Sequence, residues 1–254
     1  MKFILKTIFT AIMAVMSFAC FSNAENLISG PVSGSDWRLP EIDMEFVWIK
    51  ALDCWVGKYE VTNGEYRKLN QEHYSKDYRG NSLSAERQPA VYVTFSSAID
   101  YAKWITERER TAGRLPAGYC YRLPTEKEWT TFCQCGDERE YPWGNGMPPK
   151  YGNYYGQEAN GVTGKTIPVI PGYNDGFIVT CPVEKSGKNE WGLYGVGGNA
   201  WECTIRSSSD FSFDAWRGAA WCDFYPSALR SMSRLDYIAP YRAYNGGFRL
   251  VLTR

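Results

Sequence analysis

Apolar residues along the chain follow two rhythms, and neither persists for long. Residues 44–49 and 55–61 run apolar or alternate, with many β-branched and aromatic side chains, which predicts two strands. Thr62 precedes a predicted short helix over 63–71 and is placed to cap it. A polar run over 72–88 predicts an exposed loop, and 89–93 an extended segment. Ala98, Tyr101, Ala102 and Ile105 repeat at helical spacing, and Ser97 with Asp100 three residues on predicts the cap of that helix. Thr125 and Glu128 carry the capping-box spacing, so a second main helix starts there. Residues 141–145 read as a turn, and from there to Lys188 turn-forming residues leave no long element. Without an internal repeat or a linker after about residue 43, one domain is the economical reading.

The last stretch, 216–250, obeys neither rhythm. Arg217-Gly218, Trp221, Leu229-Arg230, Arg234, Arg242 and Gly247-Phe248-Arg249 stand as posts, and the residues between them mix charge, aromatic and aliphatic character. A core strand or helix would repeat with period 2 or 3.6. Aromatic and polar side chains on an irregular backbone read instead as a binding surface. Trp221 and Phe248 are expected in the core, and Arg217, Arg230, Arg234 and Arg249 are expected to serve the scaffold.

The chain begins with Lys2 and Lys6, an apolar run over 7–18 and then small residues, the pattern of a secretory signal over 1–24 and too short to span a bilayer. Cleavage after Ala24 and lipoprotein cleavage before Cys20 compete; the second makes Cys20 the lipidation site, with a Ser- and Gly-rich tether over 25–43. The expected location is the bacterial outer surface, with membrane contact only through a lipid anchor. Either cleavage leaves seven of the eight cysteines, an odd number, so at least one has no disulfide partner within the chain. Equal numbers of basic and acidic residues (28 each) provide no electrostatic case for nucleic acid. The only histidine, His73, sits in a polar run and reads as an exposed loop residue; one histidine excludes a His-rich metal site.

Six motifs occur in a fixed order: Lys58 to Asn63 (KYEVTN), Tyr121 to Trp129 (YRLPTEKEW), Tyr141 to Gly144 (YPWG), Gly192 to Tyr194 with Gly198 to Glu202 (GLY, GNAWE), Arg217-Gly218, and Gly247 to Arg249 (GFR). Together they resemble the formylglycine-generating-enzyme (sulfatase-modifying factor) domain, a variant of the C-type lectin fold, over about 44–254. The resemblance implies one α+β domain with short, mostly antiparallel sheets, two main helices and many loops. Oxidase members of that family hold copper with two cysteines five residues apart. Here the first position is Cys222 and the second is Ser227, and a hydroxyl does not replace a thiolate as a Cu(I) ligand. No copper and no catalytic residues are therefore expected; the alternative is a formylglycine-generating copper oxidase acting on sulfatases. The resemblance also implies a structural calcium site from Asn153, the Tyr154 carbonyl, Asp175 and the Phe177 carbonyl. A second calcium site, with Gly198, Ala200 and Glu202, lacks a side-chain ligand because Gly195 stands where Asn or Asp is expected.

The cadence of the C-terminal posts is similar to the variable region of diversity-generating-retroelement proteins, lectin-fold receptors such as the Treponema variable protein. That similarity implies a ligand-binding region over about 216–249. Its exchangeable positions would be Cys222, Asp223, Phe224, Tyr225, Ser227, Leu235, Asp236, Tyr237, Ile238, Tyr241 and Tyr244. The implied partner is a protein or glycan on another cell or host.

Overall fold

A computed structural model of the protein describes residues 30–161, 168–210, 212–236 and 242–254. The predicted strand Met44–Ile49 (β2) has the predicted bounds, and its partner Cys54–Gly57 (β3) is shorter than the apolar run suggested. Before them, Trp37–Leu39 (β1) pairs antiparallel with β2, and Leu39 and Ile42 are buried. The stretch read as a tether thus already contributes a strand to the sheet.

Thr62 caps Asn63–Tyr66 (α1) with a reciprocal capping box through Glu65. This helix is one turn long instead of reaching residue 71. The loop that follows carries a small hairpin, Asp77–Tyr78 (β4) and Asn81–Ser82 (β5). It is not simply exposed: Ser75 and Leu83 are fully buried. Asn63 anchors it, with Nδ2 donating to the carbonyls of Leu83 (2.9 Å) and Ala85 (3.0 Å) and Oδ1 accepting from Ser75 Oγ (2.6 Å). His73 is half-buried with its ring edge-on to Tyr66 at 4.7 Å, so the loop encloses it. Burial, then the Arg67 charge, lowers its pKa to about 4.

The first long helix, Phe95–Thr111 (α2), is capped by Thr94, whose Oγ1 accepts from the Ser97 amide. The cap lies three residues upstream of the one expected at Ser97. Ala98, Tyr101, Ala102, Ile105, Thr106 and Glu109 form its buried stripe at the spacing a helix face requires. After Cys120–Arg122 (β6), Glu126–Cys133 (α3) starts at the predicted capping box of Thr125 and Glu128. Tyr141 and Gly144 exchange backbone hydrogen bonds at the predicted turn.

The C-terminal half adds Trp201–Ile205 (β7), Phe213–Arg217 (β8), Arg234–Leu235 (β9), Gly246–Gly247 (β10) and Val251–Thr253 (β11). One sheet has the order β1-β2-β3-β11-β6 and is antiparallel throughout; a second, β10-β7-β8-β9, has one parallel pair, β10 with β7. Inserting β11 between β3 and β6 draws the end of the chain into the sheet centre, which places residues 216–250 against the core. The mixed α+β architecture with short, mostly antiparallel sheets and two main helices is the one expected. Among the described residues no helix is long and apolar enough to cross a membrane, and all seven cysteines there are free.

Candidate functional site

Four of the six ordered motifs meet in a buried polar knot. Arg249 is fully buried: its Nε and Nη2 donate to Glu202, its Nη1 to the Gly57 carbonyl at 2.8 Å and its Nη2 also to the Tyr194 carbonyl at 2.6 Å. Trp129 Nε1 adds a hydrogen bond to Glu202 Oε2 at 2.8 Å. Beside this pair lies Glu60, also fully buried, whose Oε1 accepts from Asn199 Nδ2 at 3.1 Å. Burial first, and the neighbouring Glu202 charge, push the Glu60 pKa up to about 8 against the pull of Arg249. Asn199 also accepts from the Cys181 amide and from Asn153 Nδ2, both at 2.9 Å, and its carbonyl accepts from the Trp221 amide.

This knot fixes the C-terminal posts. Arg217, 1% exposed, donates to the Ser231 and Met232 carbonyls, Thr130 Oγ1 and Glu126, and lies over the Trp129 ring. Arg230 pairs with Glu140, and Arg234 with Glu126 and Asp236, both nearer the surface. Trp221 and Phe248 are core residues, as expected. A side chain at Gly246 would meet the Trp216 ring at 3.0 Å, so that glycine permits the close crossing of β10 over the aromatic.

Between the posts the predicted positions divide. Tyr225, Ser227 and Asp236 are exposed; Cys222, Phe224, Leu235 and Tyr244 are half-buried. Phe224 packs between Tyr225 and Tyr155. Tyr244 joins Trp221 and Tyr78 in a three-ring cluster with centroids 4.9–5.8 Å apart. Asp223 is tied into the frame: its Oδ2 accepts from Trp201 Nε1 and from the Ala220 amide, both at 2.8 Å. Tyr237, Ile238, Tyr241 and Cys20 lie outside the described residues. Cys222 and Tyr244 approach one another beside Asn245, whereas Leu235 sits on β9, with Asp236 directly after it, at the opposite edge of the same sheet from β10. Tyr78 and Trp201 were not among the predicted site residues. Half-buried Tyr78 and buried Trp201 reach the C-terminal segment from distant parts of the chain, and the only local signal for Tyr78 was the turn glycine Gly80.

The donor set at Cys222 does not fit a copper dithiolate. Asn245 Nδ2 lies 3.5 Å from Sγ, and burial, followed by the Asp223 charge, raises the thiol pKa far above its ordinary value. Such a thiol stays protonated at neutral pH in the metal-free protein, and Cys222 offers one sulfur where a dithiolate needs two. Ser227 at the second position is exposed on a turn and offers only hydroxyl chemistry.

At the first calcium position, Asp175 is half-buried; Oδ2 accepts from the Tyr154 amide and Oδ1 from the Phe177 amide, both at 2.9 Å. Asn153 is fully buried and its Oδ1 takes no hydrogen bond, an orphaned oxygen of the type a hard cation would satisfy. The second position does not fit. Arg249 and Trp129 occupy the Glu202 carboxylate, and a side chain at Gly195 would strike the Glu60 carboxyl at 2.4 Å.

These features define a lectin-like α+β domain whose irregular C-terminal segment is mounted on a buried Arg–Glu–Asn knot. The chain belongs to the family of the sulfatase-modifying factor enzyme 1-like domain, which matches residues 27–254. It is 36% identical to the formylglycine-generating enzyme of Thermomonospora curvata over 52% of this chain and 38% of that one. Against the formylglycine-generating enzyme of Mus musculus it is 38% identical, over 48% of this chain and 28% of the relative. An inactive C-alpha-formylglycine-generating enzyme 2 from Bos taurus is 32% identical over 58% of this chain and 43% of that one. The matched stretch thus spans less than half the length of these relatives. Two solved structures share the fold: PvdO from Pseudomonas aeruginosa (TM-score 0.54, 24% identity, 78% and 80% covered) and Treponema denticola variable protein 1 (TM-score 0.56, 18% identity, 78% and 84% covered).

Proposed function

We propose that this protein is a surface-displayed receptor of a diversity-generating retroelement, exported as a lipoprotein through Cys20 and binding a protein or glycan ligand without catalysis. The observation that carries the reading is the division within residues 216–250: buried Arg217, Trp221, Phe248 and Arg249 hold the backbone, while Tyr225, Ser227 and Asp236 are exposed between them. Exposed positions on a rigid frame accept substitution at a cost within about 0.5 kcal/mol, so new side chains can be tried without unfolding. Aromatic residues among them supply contact area with few rotamers to freeze, as in antibody paratopes. The family contains inactive members, and a protein named as variable shares this fold. Calcium held by Asn153, Tyr154, Asp175 and Phe177 would brace the loop behind Tyr155.

The second reading, a copper oxidase forming formylglycine on sulfatases, draws on identity to formylglycine-generating enzymes and on Cys222. The two separate in one pair of assays. Cu(I) binding that is lost in Cys222→Ser, together with oxidation of a cysteine-containing sulfatase peptide, would establish the oxidase and end the receptor reading. The receptor reading expects neither. It expects that exchanging Phe224, Tyr225, Ser227, Leu235 and Asp236 as a block changes which ligand is captured and leaves the melting temperature within a few degrees.

A further inference from the structure

The β4–β5 hairpin belongs to none of the family motifs, yet it reaches the C-terminal segment. Tyr78 packs against both Trp221 and Tyr244, each at 4.9 Å. Across from the hairpin, the Tyr92 amide donates to the Ala243 carbonyl at 2.9 Å, which places Arg242 beside Tyr92. Lys76 Nζ lies 4.5 Å from the Tyr92 ring centroid, and Arg79 stands 5.7 Å from that of Tyr78. Lys76, Arg79 and Arg242 are all exposed.

The backbone here is held in costly conformations. Lys76 (φ 63°), Arg79 (φ 50°) and Tyr92 (φ 58°) all occupy the left-handed region. Arg79 and Gly80 form a two-residue hairpin turn with both φ values positive, a turn that favours Asn at its first central position. An arginine there, and a tyrosine at positive φ opposite, sacrifice local stability, and such strain persists only where the surroundings over-determine it. They do so here: Asn63 grips Ser75 and the Leu83 and Ala85 carbonyls, and Ser75 Oγ in turn accepts from the Val91 amide.

We propose that this hairpin is a fixed wall of the ligand surface, and that Lys76, Arg79 and Arg242 around Tyr78, Tyr92 and Tyr244 receive an acidic segment of a protein partner. The inference rests on the receptor reading above and adds a chemistry to it. Lys76 and Arg79 stand beside aromatic rings on the hairpin side, Arg242 adds a third charge from the C-terminal segment, and Tyr78, Tyr92 and Tyr244 come from three segments. That arrangement suits alternating acidic and aromatic or apolar side chains of an extended peptide, with rim charges setting encounter rate and register and the rings the contact area.

The test uses the full chain, a labelled peptide alternating glutamate with tyrosine, its glutamine counterpart, and a heparin-derived oligosaccharide, followed by fluorescence anisotropy. The glutamate peptide should bind about 10-fold or more tightly than the glutamine peptide and lose that margin between roughly 0.05 M and roughly 0.5 M salt. Lys76→Asn with Arg79→Asn removes both charges with a residue that tolerates positive φ. It should erase the preference while the variant still unfolds in one cooperative melt, whereas Lys127→Asn with Lys188→Asn should not affect binding. Equal binding of the two peptides, an unaltered preference in the hairpin variant, no binding of either, or tighter binding of the oligosaccharide through the same cations would overturn the proposal. If block exchange of Phe224 to Asp236 still redirects ligand choice while the hairpin variant changes nothing, the receptor reading stands and only the hairpin assignment fails.

Discussion

Arg249 shows how one side chain can decide the fate of the site. Its guanidinium is fully buried, shared between the Glu202 carboxylate and two backbone carbonyls. Breaking a buried pair strands the remaining charge, so Arg249→Ala should cost about 3–5 kcal/mol in chemical denaturation. A loss below about 1 kcal/mol would mean the knot is dispensable. Glu60 gives a signature in pH. Its folded-state pKa, about 8, lies above the ordinary 4.5, so its contribution to stability is fully present below 4.5 and is lost as pH rises through about 8. Glu65, raised by burial to about 7, acts in the same direction. His73, lowered to about 4 from 6.5, opposes them: its contribution is present above 6.5 and is lost as pH falls through 4. Between pH 6.5 and 8 the carboxyls therefore dominate, and stability should fall with a Glu60 contribution of at most about 1.4 kcal/mol per pH unit. Glu60→Gln should flatten that slope; equal slopes in the two proteins would contradict the assignment. Arg249 was recognisable as scaffold because it stands in an ordered motif. The Glu60 environment was not, because burial is created by partners 139 residues away such as Asn199.

At the scale of elements, capping boxes and apolar periods were legible because they are local. Thr62 with Glu65 and Thr125 with Glu128 form the reciprocal bonds their spacing promised. The α2 cap was misplaced from Thr94 to Ser97 because either hydroxyl residue suits an N-cap, and only the backbone decides between them. The hairpin was hidden by Arg79-Gly80, where Asn-Gly would have announced the turn. In the loop after β8, the sequence grouped Asp223 with its exchangeable neighbours, but its carboxylate holds Trp201 Nε1 and the Ala220 amide. Asp223→Ala leaves both donors without an acceptor and should cost about 1–3 kcal/mol, while Tyr225→Ala, Ser227→Ala and Asp236→Ala should each stay within about 0.5 kcal/mol. Thermal melts of the four variants check this, and four equal shifts would dissolve the division between frame and surface.

For the whole molecule, the placement of β11 between β3 and β6 links the last residues to the first strands. This long-range closure explains why the C-terminal segment can be irregular and still held. No periodicity could show it, since the pairing joins residues about 200 positions apart, as Val251 with Val56. The proposed calcium would act on the same scale by binding only the folded state, adding about 2.7 kcal/mol at 100 times its dissociation constant. A calcium-dependent rise in melting temperature that disappears in Asp175→Asn is the expected result, and identical melts with calcium and with chelator would remove the site. The central claim, a fixed frame carrying exchangeable ligand positions, is tested most directly by sequencing the locus across many isolates of its source population. Differences should concentrate at positions 222–225, 227, 235–238, 241 and 244, with Arg217, Trp221, Phe248 and Arg249 constant and Asp223 replaced only by residues with a hydrogen-bond acceptor. Differences scattered evenly through the domain, or posts as variable as the positions between them, would contradict it.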